Sequence, residues 1–346
     1  MWSICKKEWA QYFSSLTGYL IISFYLIVNG LLLFVIPNYN LLDFGYASLQ
    51  VYFDFAPWFL LLLVPAITMR SFSDEFKQGT YEVLHSMPFS SLQLVLGKLL
   101  GSLLIVVAAI APTIFYAVVL NALSATGGID WGATFGSYIG LLFLGAVYTA
   151  VGVFASSLTK NSAIALLVSI IISILLLQSF DWLSTVSFFA NGYGFNIKQL
   201  GLSLHYNNMS KGLIKMTDLI YFISILGLFI LGTIENLKGK IKYLFLLIAI
   251  IGANYLSNIF PIQFDLTKEK RYTLSASSTE VISQIQAPVT VHLYLGGDLP
   301  SNYKTISNAA IALLDQLHQI NPSLIKWNLE IPNQLVSDTA LYTLYD

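Results

Sequence analysis

Charge is what this sequence has least of. Asp, Glu, Lys and Arg make up 10% of its 346 residues, against about 25% in an average soluble domain. A water-soluble fold needs more charge than that to cover its surface, so a purely soluble enzyme is excluded. Arginine is scarcer still. Of 17 basic residues only Arg70 and Arg271 are arginine, whereas a nucleic-acid binder concentrates basic side chains on one face. No nucleic-acid partner is expected, and a formal net charge of -1 names no other. The single cysteine, Cys5, cannot form an internal disulfide. It also lacks the preceding apolar run of a lipoprotein cleavage site, and reads as an incidental thiol.

Sequence motifs of catalysis are missing too. There is no GxxxxGK[ST] phosphate loop, HExxH, GxSxG or CxxC. The four histidines, His85, His205, His292 and His318, fall in different segments and suggest no metal cluster. No catalytic residue, cofactor or metal site is expected. Any ATP hydrolysis must come from another chain.

What is abundant is apolar. Hydrophobic residues are 56%, aromatic residues 14% and mean hydropathy is +0.71, the composition of a polytopic membrane protein. About 20 apolar residues cross a bilayer, and the sequence holds several runs of roughly that size. Seven emerge, at 17–37, 51–69, 99–121, 136–158, 162–179, 218–235 and 241–260. The first has no small-residue cleavage pattern after it, so it is a retained span and not a signal peptide.

Orientation follows from the basic residues of the short loops, which tend to stay cytoplasmic. Lys6, Lys7, Arg70, Lys77, Lys98, Lys160, Lys238, Lys240 and Lys242 all fall on one side. The loops at 38–50 and 122–135 carry no basic residue, and the longer loop at 180–217 carries Lys198, Lys211 and Lys215. A multi-pass protein of the cytoplasmic (inner) membrane is expected, embedded in the lipid bilayer, with a cytoplasmic N-terminus and an extracytoplasmic C-terminal tail.

Charges within spans are functional hypotheses by default. Asp54, Asp181, Asp218 and Glu235 sit near span ends, where contact with headgroups or water is expected. No midplane carboxylate speaks for an ion-coupled carrier. Small residues recur at Gly97 and Gly101, then at Gly136, Gly140, Gly145 and Gly152. Their spacing permits close helix approach, either by internal packing or at a dimer seam. Pro65 and Pro112 are expected to kink their spans.

After Pro261 the composition shifts. Val289, Val291, Leu293 and Leu295 alternate with Thr290, His292 and Tyr294, Gly296, Gly297 and Asp298 turn the chain, and Ile306, Ala310, Leu313, Leu314 and Leu317 follow at helical spacing. Ile325, Trp327, Leu329 and Ile331 alternate again. Strand, helix, strand is a βαβ unit with two parallel strands, near the lower size limit for folding alone. The tail is therefore read as part of a larger extracytoplasmic domain.

The most informative segment is 70–98, RSFSDEFKQGTYEVLHSMPFSSLQLVLGK. On a continuous helix, Phe72, Phe76 and Val83 share one face while Glu75, Gln78 and Glu82 share the other, so an interfacial helix with its polar face toward a soluble partner is expected. The segment resembles the cytoplasmic loop between the second and third spans of ABC-2-type transporter permeases. There a pattern like R-x-x-x-x-E-x-x-x-G-T-x-E-x-L-x-x-x-P precedes a glycine-lysine pair; here it reads Arg70, Glu75, Gly79, Thr80, Glu82, Leu84, Pro88, then Gly97 and Lys98. The resemblance implies that this loop docks on a cytoplasmic ABC ATPase subunit, and that residues 2–16 lie along the membrane as an elbow. It further implies a second permease subunit, identical or related.

Two further stretches narrow the resemblance. Residues 203–233 resemble the GldF branch, the gliding-motility-associated permeases, through His205, Gly212, Asp218, Tyr221, Phe222 and Phe229, with Lys211 at a basic position; these look structural. Residues 265–303 resemble the start of the GldG-type auxiliary protein, whose leading span would be 241–260. The expected organisation is thus an ABC-2-type permease domain at 1–236, a seventh, GldG-like helix at 237–260 and a partial α/β domain at 261–346. The expected fold class is an all-α polytopic membrane protein of six spans plus a seventh, with a partial extracytoplasmic α/β domain. The implied function is ATP-driven export associated with gliding motility. The alternative is a mechanical or assembly component of a cell-envelope machine that moves no substrate.

Overall fold

The computed structural model describes residues 1–37, 39–42, 47–124, 127–185, 198–238, 263–270, 272–285, 287–296, 301–321 and 323–330. The chain divides into two compact units, one of Met1–Leu183 with Phe195–Lys268 and one of Ser184–Gly194 with Glu269–Asp346.

The first unit is helical. Its elements are α1 Trp2–Phe13, α2 Leu16–Phe34, α3 Gln50–Thr68, α4 Ser73–Gln78, α5 Thr80–Ser86, α6 Ser91–Ile110, α7 Ile114–Leu123, α8 Trp131–Ser157, α9 Ser162–Ile174, α10 Phe180–Thr185, α11 Leu202–Met209 and α12 Met216–Leu237. Local chemistry sets several starts. Ser90 and Gln93 form a capping box at α6, and the Asp130 and Asn161 side chains accept from backbone N–H groups at the starts of α8 and α9, satisfying donors the helix itself leaves unpaired.

α8 is the axis of the bundle, packing against α3, α6, α9, α11 and α12. Its candidate span is 78% buried, against 22% for the span that begins with α9. Hydroxyls tie the helices together inside. Thr113 Oγ1 donates to the Ile110 carbonyl at 2.6 Å and lies 3.0 Å from Tyr52 and 3.2 Å from Tyr138. With its proton so engaged, Thr113 accepts from both phenols, and Tyr52 accepts in turn from Tyr25 at 3.1 Å. Four segments thus share one ladder in which every buried hydroxyl finds a partner.

Among the described residues five helices are long and apolar enough to cross a membrane: Gln50–Gln78, Ser91–Leu123, Trp131–Ser157, Ser162–Ser184 and Met216–Leu237. The bent pair α1 and α2 makes a sixth only if counted as one span. Six of the seven expected spans fall on described residues, where the count is five, or six with that pair. Gly18–Phe34 by itself rises only about 26 Å at 1.5 Å per residue, against a hydrocarbon core of about 30 Å. The expected seventh helix, 241–260, lies outside the described residues. Pro112 sits in a 3-10 turn, Ala111–Thr113, that separates α6 from α7, because a proline has no N–H for the helical ladder. Pro65, by contrast, lies inside a continuous α3.

One element escapes the hydropathy reading. β1 Leu213–Lys215 pairs antiparallel with β2 Gln263–Asp265, Leu213 opposite Asp265. Gly212, at φ +83°, turns the chain into β1, and its carbonyl accepts from Leu266 N at 3.0 Å.

In the second unit, β3 Val289–Leu293 and β4 Ile325–Leu329 run parallel, Val289 opposite Ile325 and Leu293 opposite Leu329. Between them in sequence lies a helix, Ser301–Ile320, and a shorter one, Ala276–Ser283, precedes β3. The expected βαβ order is therefore present. Gly297, Asp298 and Ile331 lie outside the described residues.

Candidate functional site

The segment after α3 does not form the continuous amphipathic helix expected of it. Gly79 adopts the left-handed conformation, φ +71° and ψ +8°, ending α4 and opening α5. A left-handed residue resets the helical phase, so Glu75 and Glu82 no longer share a face. Phe72 and Glu75 are buried, while Lys77, Gln78, Gly79, Thr80, Glu82, Val83 and Pro88 are exposed. Val83 therefore parts from the apolar face it was expected to share, and Glu75 from the polar one. Leu84 is half-buried. Phe76 stacks on Phe72 and meets the edge of Tyr81. Burial first, and the nearby Glu75 carboxylate second, push the Tyr81 phenol up. The loop thus has an aromatic, buried root and an exposed tip.

Beneath the root stands Lys98, wholly buried at 0% exposure. Its Nζ donates to Glu8 Oε1 at 2.8 Å, Glu75 Oε1 at 2.8 Å and the Ser71 carbonyl at 2.5 Å. It also lies 5.0 Å from the centre of the Phe72 ring. Lys7 approaches Glu75 from the solvent side at 3.2 Å. Two ammonium and two carboxylate groups make the quartet formally neutral, the condition under which ions tolerate burial. Three ammonium protons and three acceptors also match.

The small residues explain how α1 reaches this lysine. Gly97 and Gly101 of α6 face Ile4 and Glu8 of α1, and Gly136 and Gly140 of α8 face Gly212 and Met209; a Cβ at any of the four would stand 2.7–2.9 Å from its neighbour. These faces are covered by the chain itself. Gly101→Val should therefore push α1 from α6 and destabilise the unit by about 1–3 kcal/mol through overpacking. Thermal melting, together with faster protease cleavage within α1, would register it; a melt identical to the parent's would show that α1 docks elsewhere.

A second polar cluster sits at the opposite end of the bundle, where α11 meets the start of α12. Asp218, expected near water or headgroups, is instead 1% exposed. His205 Nδ1 lies 2.6 Å from Asp218 Oδ1 and its Nε2 lies 2.8 Å from the Gln199 carbonyl. A carbonyl only accepts, so Nε2 carries a proton, and Nδ1 shares a second with the carboxylate. Asn208 donates to the same carboxylate at 3.3 Å. The imidazole stacks on Tyr221 with centroids 3.9 Å apart, and the Tyr221 hydroxyl donates to the Leu200 carbonyl. Phe222 is fully buried beside Phe143, and Phe229 packs on Phe154. Nearby, Asp181 pairs with Lys198 at 3.7 Å and accepts from Ser203.

Neither cluster has the arrangement of a nucleophile and base facing an open cleft. Among the described residues no group of three or more His, Cys, Asp or Glu could hold a metal ion. What the arrangement can do is mechanical: the Lys98 quartet couples an exposed loop tip to α1 and α6.

Residues 36–196 match the family model described as ABC-2 family transporter protein. The match supports an ABC-2 permease. It spans the loop, the Lys98 helix and the central α8; the family is a transmembrane component and not itself the ATPase, and with the apolar helices the match supports a multi-pass membrane protein. Residues 268–342 match a Domain of unknown function (DUF7088). None of the curated proteins matches the chain.

Lys98 and Glu8 are the residues that sequence reasoning missed as a site. The sequence presents Lys98 as a loop cation and as half of the glycine-lysine pair that follows the loop pattern, and it does not single out Glu8. The glycines flanking Lys98 were the available signal, since a lysine between two close-packing glycines stands where another helix must touch.

Proposed function

We propose that the chain is the membrane subunit of an ATP-driven exporter and that the loop tip at 77–88 receives a cytoplasmic ABC ATPase. The observation that carries the reading is the contrast within one loop: an exposed tip with Gly79, Thr80, Glu82 and Pro88, and a buried root in which Glu75 holds Lys98. Leu84, half-buried, steadies the tip. A push on the tip would pass through α4 and the ion quartet to α6 and α1. The helices would then rock between access states. In this reading Glu75 is the anchor of the loop and not its contact surface, and Arg70 stays at the membrane end.

The tip faces the cytoplasm, and two permease subunits, identical or related, enclose the pathway. The gliding-motility role rests on the resemblance of 203–233 to the GldF branch, and the anchor at 237–260 and the domain at 261–346 on the resemblance to GldG-type proteins. The organisation remains a permease domain at 1–236 followed by these two parts.

The test is co-purification. Glu82→Lys and Val83→Asp, both at exposed positions, should cut the ATPase recovered with the purified chain at least about tenfold, a loss of some 1.4 kcal/mol, with the thermal melt unchanged. Undiminished recovery with both variants would overturn the docking assignment. Flux in proteoliposomes then separates export from a purely mechanical role, since a mechanical component would support ATPase turnover without moving solute.

A further inference from the structure

Helices α2 and α3 leave a slot between them of ≈ 320 Å³. Its walls include Phe24 and Val28 from α2 and Phe59, Leu62 and Ala66 from α3. These side chains are not closed over by the chain: Phe24 is 68% and Leu62 57% exposed. The one polar group on the wall, the Tyr25 hydroxyl, is already engaged with Tyr52. The slot therefore offers an occupant no hydrogen bond, and whatever fills it there is hydrocarbon.

The mouth of the slot has the opposite character. On α3 the lining positions 59, 62, 63 and 66 recur at helical spacing, and the helix ends at Thr68. Arg70 follows in the turn beyond it, four residues after Ala66, at the end of the bundle that also carries Lys6, Lys7 and Lys98. Its side chain is exposed, and among the described residues its guanidinium has no ion pair or hydrogen bond. Of the other basic groups near this end, Lys98 and Lys7 serve Glu75, and Lys6 lies over the Trp2 ring at 5.8 Å.

An apolar slot with an exposed, unpaired guanidinium four residues past its last α3 lining position fits a molecule with a hydrocarbon tail and an anionic head. The planar fork of arginine matches phosphate oxygens two at a time, and basic pockets between helices at a membrane surface take up anionic headgroups. We propose that the slot between α2 and α3, with Arg70 at its mouth, binds one anionic phospholipid, an acyl chain lying along Phe24 and Leu62 and the phosphate on Arg70. The inference needs α2 and α3 to lie in the bilayer and is independent of the ATPase reading. α2 fits that requirement, since its 19 residues contain no Asp, Glu, Lys or Arg.

Native mass spectrometry of the full chain in neutral detergent tests this, with phosphatidylglycerol and phosphatidylcholine as probes. Phosphatidylglycerol should bind about tenfold more tightly than phosphatidylcholine, as one charge-assisted bidentate contact allows. Arg70→Gln should erase that preference, and Ala66→Trp, which fills the slot, should weaken both lipids. Excess inorganic phosphate should displace neither lipid. A preference that survives Arg70→Gln, or binding unchanged by Ala66→Trp, would overturn the site. Displacement by inorganic phosphate would show a phosphate site without a lipid slot, and would overturn it as well. If Ala66→Trp instead dissociates a dimer while lipid binding persists, the slot belongs to an interface between copies and the lipid assignment fails. Melting of each variant without added lipid separates lost binding from lost folding.

Discussion

Lys98→Met should cost the first unit about 3–5 kcal/mol of stability, the range for removing one partner of a buried ion pair. Methionine nearly preserves the volume of the stem, so the loss is electrostatic and not a cavity effect. Without the ammonium, Glu8 and Glu75 stay in the protein with their shared cation gone. Lys7, half exposed, reaches Glu75 alone. Glu75 Oε2 already lacks a hydrogen-bond partner among the described residues, so that carboxylate has no reserve. Adding Glu8→Gln and Glu75→Gln to Lys98→Met should recover much of the loss, because buried neutral amides cost far less than buried unpaired charges. Thermal melting in detergent, followed by helical circular dichroism, measures both steps. A Lys98→Met protein that melts with the parent would show that the quartet does not hold the loop root.

The second large effect is expected at the other end of the bundle. His205→Ala leaves the Asp218 carboxylate buried with only the Asn208 amide beside it, a loss of about 3–5 kcal/mol by the same reasoning. It also removes the ring stacked on Tyr221, a contact worth about 0.5–1.5 kcal/mol. Asp218→Asn should be milder, since a neutral imidazole that keeps Nε2–H on the Gln199 carbonyl can accept at Nδ1 from the amide N–H. The two large predictions differ in place. Amide hydrogen exchange should quicken in α11 for His205→Ala and around α4 and α1 for Lys98→Met. Uniform quickening in both variants would mean that the clusters do not act as separate local ties.

The parts of the fold that could be read in advance are those that depend on neighbours in sequence. The span expected at 51–69 appears as α3, Gln50–Thr68, and that at 218–235 lies within α12, Met216–Leu237. Hydropathy summed over one bilayer thickness is a local quantity. The third span shows the limit of such a sum. A hydropathy boundary placed at Lys98 puts its start at 99, yet the capping box at Ser90 begins the helix two turns earlier. A lysine paired inside the protein does not end a helix as a lysine in water would. The alternation in β3 and β4 was legible for the same local reason, whereas the β1 and β2 pair, joined across about 50 residues, was not.

The candidate site followed the same division. Arg70, Glu75, Gly79, Thr80, Glu82, Leu84 and Pro88 marked the loop from sequence pattern. Which of them face outward depended on one backbone angle at Gly79 and on a lysine 23 residues beyond Glu75. His205 and Asp218 were singled out by resemblance and looked merely structural; only folding brings them to 2.6 Å.

By itself the sequence determined that this chain lives in a membrane, that a charged loop interrupts its apolar runs after residue 69, and that its C-terminal part changes to strand and helix. Each of these is set by residues within about 20 positions of one another, the thickness of a bilayer or the period of a strand. The tertiary structure decided which of the few charges work inside the protein. Lys98 meets Glu8 across 90 residues, and no local pattern encodes such a pair. Burial makes it matter, because an ion withdrawn from water must find its counter-ion in the fold or destabilise it.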